Sequence, residues 1–231
     1  MKNFLRRFSK RYNIRFLISN PFLWLYSAYI SVRYVDESKN FPAIKFNNFV
    51  KVKFTKHKTA RLIINTNLIF EGWLKDRSRT NIIMNENSTL LVKNEFGIGN
   101  GMKILVNQNS LLQINGKLNQ SASGVTADSV IMVNKQLIIG YDCLIAWNTF
   151  ITDCDWHTIE NSYHTEPTTI NDSVWIGVGA KVLKGVTIGE RSIITSNSVV
   201  IKGDYPAQAL LSGNPAKVVK TPVPDWNRDM I

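Results

Sequence analysis

The sequence predicts an all-β fold, a parallel β-helix of hexapeptide repeats with a short helical cap at its N-terminus. Three observations carry that expectation. A six-residue register runs from Val133 to Val200, it breaks once in a polar stretch, and the first 45 residues share neither the register nor its composition.

The register comes first because internal periods decide architecture. Its lead positions are Val133, Ile139, Ile145 and Ile151, then Ile170, Ile176, Val182, Ile188, Ile194 and Val200, all β-branched aliphatics. Four residues further on stand Leu137, Cys143, Thr149, Val174, Ala180, Val186, Ser192 and Ser198, mostly of modest bulk. Gly140, Ala146, Gly177 and Gly189 directly follow their lead residues. A helix repeats every 3.6 residues and a strand every two, so a period of six fits neither alone. It fits a coil of short strands with corners: every sixth side chain points inward, and stacked coils form one continuous core. Small or flexible residues then belong where the chain turns. Three hexads make one 18-residue turn of a triangular prism.

Upstream the register loosens. Leu62-Ile63-Ile64, Ile82-Ile83-Met84 and Ile104-Leu105-Val106 each lead into an Asn-x-Asn, at spacings of 20 and 22 residues. They read as successive coils with irregular corners, so the solenoid is expected to start between about Val50 and Leu62. The expected organisation is a cap over residues 1–45, a solenoid over 46–220 with an excursion at 152–169, and a tail over 221–231.

The cap holds the uneven part of a formal net charge of +11. Lys2, Arg6, Arg7, Lys10, Arg11, Arg15 and Arg33 all precede Asp36, the first acidic residue, and Phe4, Phe8, Tyr12 and Phe16 recur at helical spacing. The apolar stretch Phe16 to Ile30 is short for a bilayer span and carries Asn20 and Pro21. No small-residue cleavage site follows it. Basic and aromatic faces together suit lipid headgroups, so peripheral membrane contact through residues 1–35 is one expectation. A solvated helix face, or packing against the body of the protein, is the other. The charge clusters in the cap and not along a recognised motif, which disfavours nucleic acid as a partner. Two cysteines, Cys143 and Cys154, lack metal-site spacing and read as reduced thiols, as suits a cytoplasmic protein that could sit on the cytoplasmic face of the membrane.

The one break in the register is TDCDWHTIENSYHTEPTT, between Ile151 and Ile170. A loop thrown from a rigid scaffold is where function concentrates. It holds His157 just after Asp153 and Asp155, with His164 further on.

Val174 to Val200 (VWIGVGAKVLKGVTIGERSIITSNSVV) and Ser212 to Val219 (SGNPAKVV) resemble the hexapeptide acyltransferases. Within that family the chain is most similar to sugar O-acetyltransferases, including galactoside, maltose and polysaccharide-modifying enzymes. The likeness runs from about Ile139 to Val219. It implies a left-handed coil, against the usual crossover hand, a homotrimer with sites between subunits, acetyl-CoA as co-substrate, a carbohydrate acceptor and no metal.

By this resemblance His157 is the general base. A sugar hydroxyl is a weak nucleophile, and a neutral imidazole can take its proton during attack on the thioester. Asp155 or Asp153 is the candidate to orient that ring. Asn148, Trp156 and Trp175 are expected around the acceptor and acetyl group. Val178, Gly179, Ala180 and Ser196 are expected to offer backbone groups to the pantetheine arm. Lys202, Lys217 and Lys220 are expected to meet the CoA phosphates, and Pro215 to press near the adenine. Lys217 stands where the family often has arginine, so a point charge replaces a bidentate fork. A small-molecule acetyltransferase of the same fold and a non-catalytic solenoid are the rival readings.

Overall fold

The computed structural model describes residues 13–72, 78–118, 123–158, 160 and 162–227. The chain winds as a left-handed parallel β-helix with two short helices at its N-terminal end. Successive strands fall in rotation into three sheets. The first sheet runs from Glu37–Ser38 to Gly203–Tyr205, the second from Ile44–Phe46 to Ala216–Lys220, and the third from Val52–Lys56 to Val199–Val200. Strand pairing is parallel until the last step, where Ala216–Lys220 folds back antiparallel on Leu210–Gly213 and closes the C-terminal end.

The register pairs Ile170 with Ile188, Ile176 with Ile194 and Val182 with Val200, the expected 18-residue coil. All ten lead residues are fully buried, and so are the residues four positions on. The glycines after the lead positions have a different reason from the one expected. Gly140, Gly177 and Gly189 are not among the left-handed residues. A methyl group on Gly140 would lie 2.4 Å from the carbonyl carbon of Asn171 in the next coil. Close stacking of backbones, not turning, excludes a side chain there.

The N-terminal coils depart from the expected spacing. Leu62 to Ile64 belongs to the first sheet and pairs with Leu90 to Val92, whereas Ile82 to Met84 and Ile104 to Val106 stack in the third. The three triplets are therefore not successive turns of one face. Strand pairing also begins at Glu37, inside the segment expected as cap. The physical reason is the filling of the core. Phe46, Phe54, Phe70 and Phe96 point inward here, with Phe46 and Phe70 stacked at 5.1 Å. Phenylalanine thus holds positions that isoleucine and valine hold later, and a β-branched register does not reveal these coils.

The helices α1 (Ile14–Ser19) and α2 (Pro21–Tyr34) cover the open start of the solenoid. Pro21 stands at the start of α2, where its missing N–H is no loss. The helix lays Leu23, Ser27, Ile30 and Ser31 against Ile44–Phe46, the outermost strand of the second sheet. An outermost strand presents unpaired amides. Here the Ser27 hydroxyl accepts from the Phe46 amide (3.1 Å) and the Ser31 hydroxyl from the Ile44 amide (2.9 Å). Packing on the body is thus what the inner face of α2 does. Lys2, Phe4, Arg6, Arg7, Phe8, Lys10, Arg11 and Tyr12 lie outside the described residues. Among the described residues no helix is long and apolar enough to cross a membrane.

Candidate active site

The excursion leaves the third sheet after Phe150–Thr152 and rejoins the first at Thr168–Ile170, so it projects from the corner between those sheets. Its root is Asp153, fully buried, whose carboxylate accepts the backbone N–H groups of Asn134, Lys135 and Gln136, each at 2.7 Å. That pins the loop to the corner of the preceding coil. The two legs pair through Asp155 N–H to His164 C=O (2.8 Å) and Glu166 N–H to Asp153 C=O (2.9 Å). A side-chain ladder holds the return leg: Asn85 donates to Asn107, Asn107 to Asn134, and Asn134 to the Thr165 hydroxyl. The ammonium of Lys184 joins the Asp155 carboxylate and the Tyr163 carbonyl, and Lys202 pairs with Glu166 at 2.6 Å.

The result is a finger braced on both sides, with His157 and His164 exposed to solvent. Several expectations change at this point. The Asp155 carboxylate pairs with Lys184, and no contact places it on the His157 ring. Asp153 faces three backbone amides and serves the loop's root, not the ring. Lys202 pairs with Glu166 at the loop's base, with its side chain still largely exposed. Trp156 turns back on its own loop: its ring N–H donates to the Thr152 hydroxyl (3.3 Å) and its backbone N–H to the Cys154 sulfur (3.1 Å). Cys154 is buried beneath it, out of reach of a substrate.

The remaining candidates gather elsewhere. Trp175 stands on the second sheet between Leu144 and Ile193 and is 38% exposed. The ring of Trp226, from the tail, packs on it with centroids 6.1 Å apart and donates its N–H to the Ser173 carbonyl (2.7 Å). Sequence reasoning missed this contact because the tail follows no repeat. At the next corner, between the second and third sheets, lie Asn148, Val178, Gly179 and Ser196. Asn148 and Gly179 both take left-handed backbone angles, and a methyl group on Gly179 would strike the Asn197 side chain at 2.3 Å. The amides of Gly179 and Ala180 already donate to the carbonyls of Trp147 and Gly177, and Ala180 is fully buried. Those two amides are therefore committed to the solenoid and are not offered to a ligand. Asn214 and Pro215 make the turn of the closing hairpin, and Lys217 and Lys220 are exposed on its return strand.

The candidates thus form two groups. One is the finger with His157, at the corner of the third and first sheets. The other is the second sheet and its exit corner, with Trp175, Asn148, Ser196, Pro215, Lys217 and Lys220. In a three-sided prism that sheet is the face opposite the finger's corner. A single chain does not bring His157 and Trp175 together.

In class the chain is a left-handed parallel β-helix with a six-residue inward-facing repeat. Residues 167–202 match the family described as bacterial transferase hexapeptide (six repeats). The chain is 35% identical over 96 residues to YJL218W of Saccharomyces cerevisiae, a candidate acetyltransferase, covering 39% of this chain and 48% of that one. It is 44% identical over 55 residues to the 2,3,4,5-tetrahydropyridine-2,6-dicarboxylate N-acetyltransferase of Clostridium perfringens, covering 24% and 23%. The chain spans no more than about half the length of these curated relatives. In fold it is similar to the polysialic acid O-acetyltransferase OatWY, with a TM-score of 0.56 at 23% identity, over 85% of this chain and 90% of that one.

Proposed function

We propose that the chain transfers an acetyl group from acetyl-CoA to a hydroxyl of a carbohydrate acceptor, in a homotrimer whose sites lie between subunits. The observation that carries this reading is the braced finger, the excursion from the solenoid that holds His157 exposed to solvent. The acetyltransferase names among the relatives support the reaction class.

In this reading the His157 imidazole takes the proton of the acceptor hydroxyl as its oxygen attacks the thioester carbonyl. The tetrahedral intermediate collapses to an ester, the CoA sulfur leaves, and the imidazolium returns the proton to it. No covalent acyl-enzyme is needed, which agrees with the burial of Cys154. Acetyl-CoA supplies the activated acyl group. On this chain Lys217 and Lys220 are exposed cations for its phosphates, and Trp175 offers an apolar wall near its acyl end. Because those residues lie opposite the finger of the same chain, the finger is completed by a second copy's sheet.

A second reading, transfer to an amine, is favoured by the identity with the N-acetyltransferase of Clostridium perfringens. One assay separates them. Purified protein is given acetyl-CoA and panels of glycans and amines, and free thiol is read. Acceptor-dependent thiol release with a product cleaved by mild alkali is expected, since esters are labile where amides are not. An alkali-stable product assigns the amine reading, and no release with any acceptor favours a silent solenoid.

A further inference from the structure

The inner face of α2 is filled by its packing on the solenoid, yet four of its apolar side chains point the other way. Phe22, Leu25, Tyr29 and Val32 recur at three- and four-residue steps and are 79%, 58%, 59% and 75% exposed. A helix on the surface of a soluble domain ordinarily shows water its polar face. An apolar stripe of this kind marks a contact surface. A groove opens beside the helix, lined by Tyr26, Phe49, Lys51, Lys53 and Arg79, and Phe49 at its rim is 80% exposed. Arg15 and Arg33 are exposed on the two helices, and no acidic residue precedes Asp36.

From this juxtaposition we infer that the outward stripe of α2 and the basic groove beside it seat the protein on an anionic lipid bilayer. The stripe and Phe49 enter the boundary between headgroups and acyl chains, and Lys51, Lys53 and Arg79 meet the headgroup phosphates. Insertion is shallow, because no described helix is long enough to span. The rival occupant is α2 of a second copy, since the stripe also has heptad spacing. Two such helices would bring basic flanks together with no acidic partner between residues 13 and 35, and two heptads are short for a stable coiled coil. Charge complementarity favours lipid. This inference stands apart from the acetyl-transfer chemistry.

The test is co-sedimentation of the full chain with phosphatidylcholine vesicles, with and without phosphatidylserine. The double variant Leu25→Asn/Val32→Asn keeps the charge and alters only exposed positions, and its melting temperature checks the fold. It is expected to lose about tenfold or more in binding to acidic vesicles. Lys51→Gln/Lys53→Gln is expected to weaken binding and flatten its salt dependence. Undiminished binding of a folded Leu25→Asn/Val32→Asn variant would overturn the proposal. So would its loss of oligomeric mass in light scattering with vesicle binding intact, which would assign the stripe to a second copy. Displacement by inorganic phosphate at matched ionic strength would assign the groove to a free anion instead.

Discussion

Replacing His157 with alanine is expected to lower kcat/KM for acetyl transfer by about 10²- to 10⁴-fold, the usual worth of a positioned general base. The loss should fall in kcat, because the imidazole acts on the proton that moves only in the reaction. Acetyl-CoA binding should persist, since the residues proposed for it stand on the second sheet and not on the finger. His164→Ala is the control within the same loop. Its backbone carbonyl is tied to the Asp155 amide, which alanine keeps, so a small effect is expected. Asp155→Asn should resemble the control in rate, because its carboxylate pairs with Lys184. An inactive His164→Ala beside an active His157→Ala would move the base to the other leg of the finger.

Asp153→Ala is expected to be the most damaging change to the fold near the site. The side chain is fully buried, and its two oxygens accept three backbone amides. Alanine leaves all three part-buried amides without that acceptor, and a donor left unsatisfied away from water costs about 1–3 kcal/mol. A combined loss of about 3 kcal/mol or more corresponds to a fall of roughly 10 °C in melting temperature for a chain of this size. The finger would also lose its root, so activity should drop even where the solenoid stays folded. Thermal unfolding followed by circular dichroism reads the first effect; a midpoint unchanged from the parent chain would show that the three amides find other partners.

The solenoid from Val133 onward was legible because a six-residue period is a direct image of which side chains point inward, and all ten lead residues are fully buried. The earlier coils were not, because Phe46, Phe70 and Phe96 take inward positions there and the coil lengths vary. His157 could be found by its loop and by the resemblance. The bracing of that loop could not, since Lys184 and Lys202 reach it from the next coils by side-chain contacts that no local pattern encodes. The Asn-x-Asn recurrences did carry a readable signal. Asn85 and Asn107 prove to be rungs of the ladder that ends on Thr165, and stacking them by sheet would have exposed it.

The central claim is that His157 of one copy works with the Trp175 face of another, and mixed oligomers test it most directly. Chains carrying His157→Ala and chains carrying Trp175→Ala are each expected to be severely impaired and to keep the parent oligomeric mass. Coexpressed, they form oligomers in which some sites pair an intact finger with an intact second sheet, and acceptor-dependent thiol release should reappear well above either variant alone. Mixed oligomers that stay at the level of the separate variants would contradict a site shared between subunits.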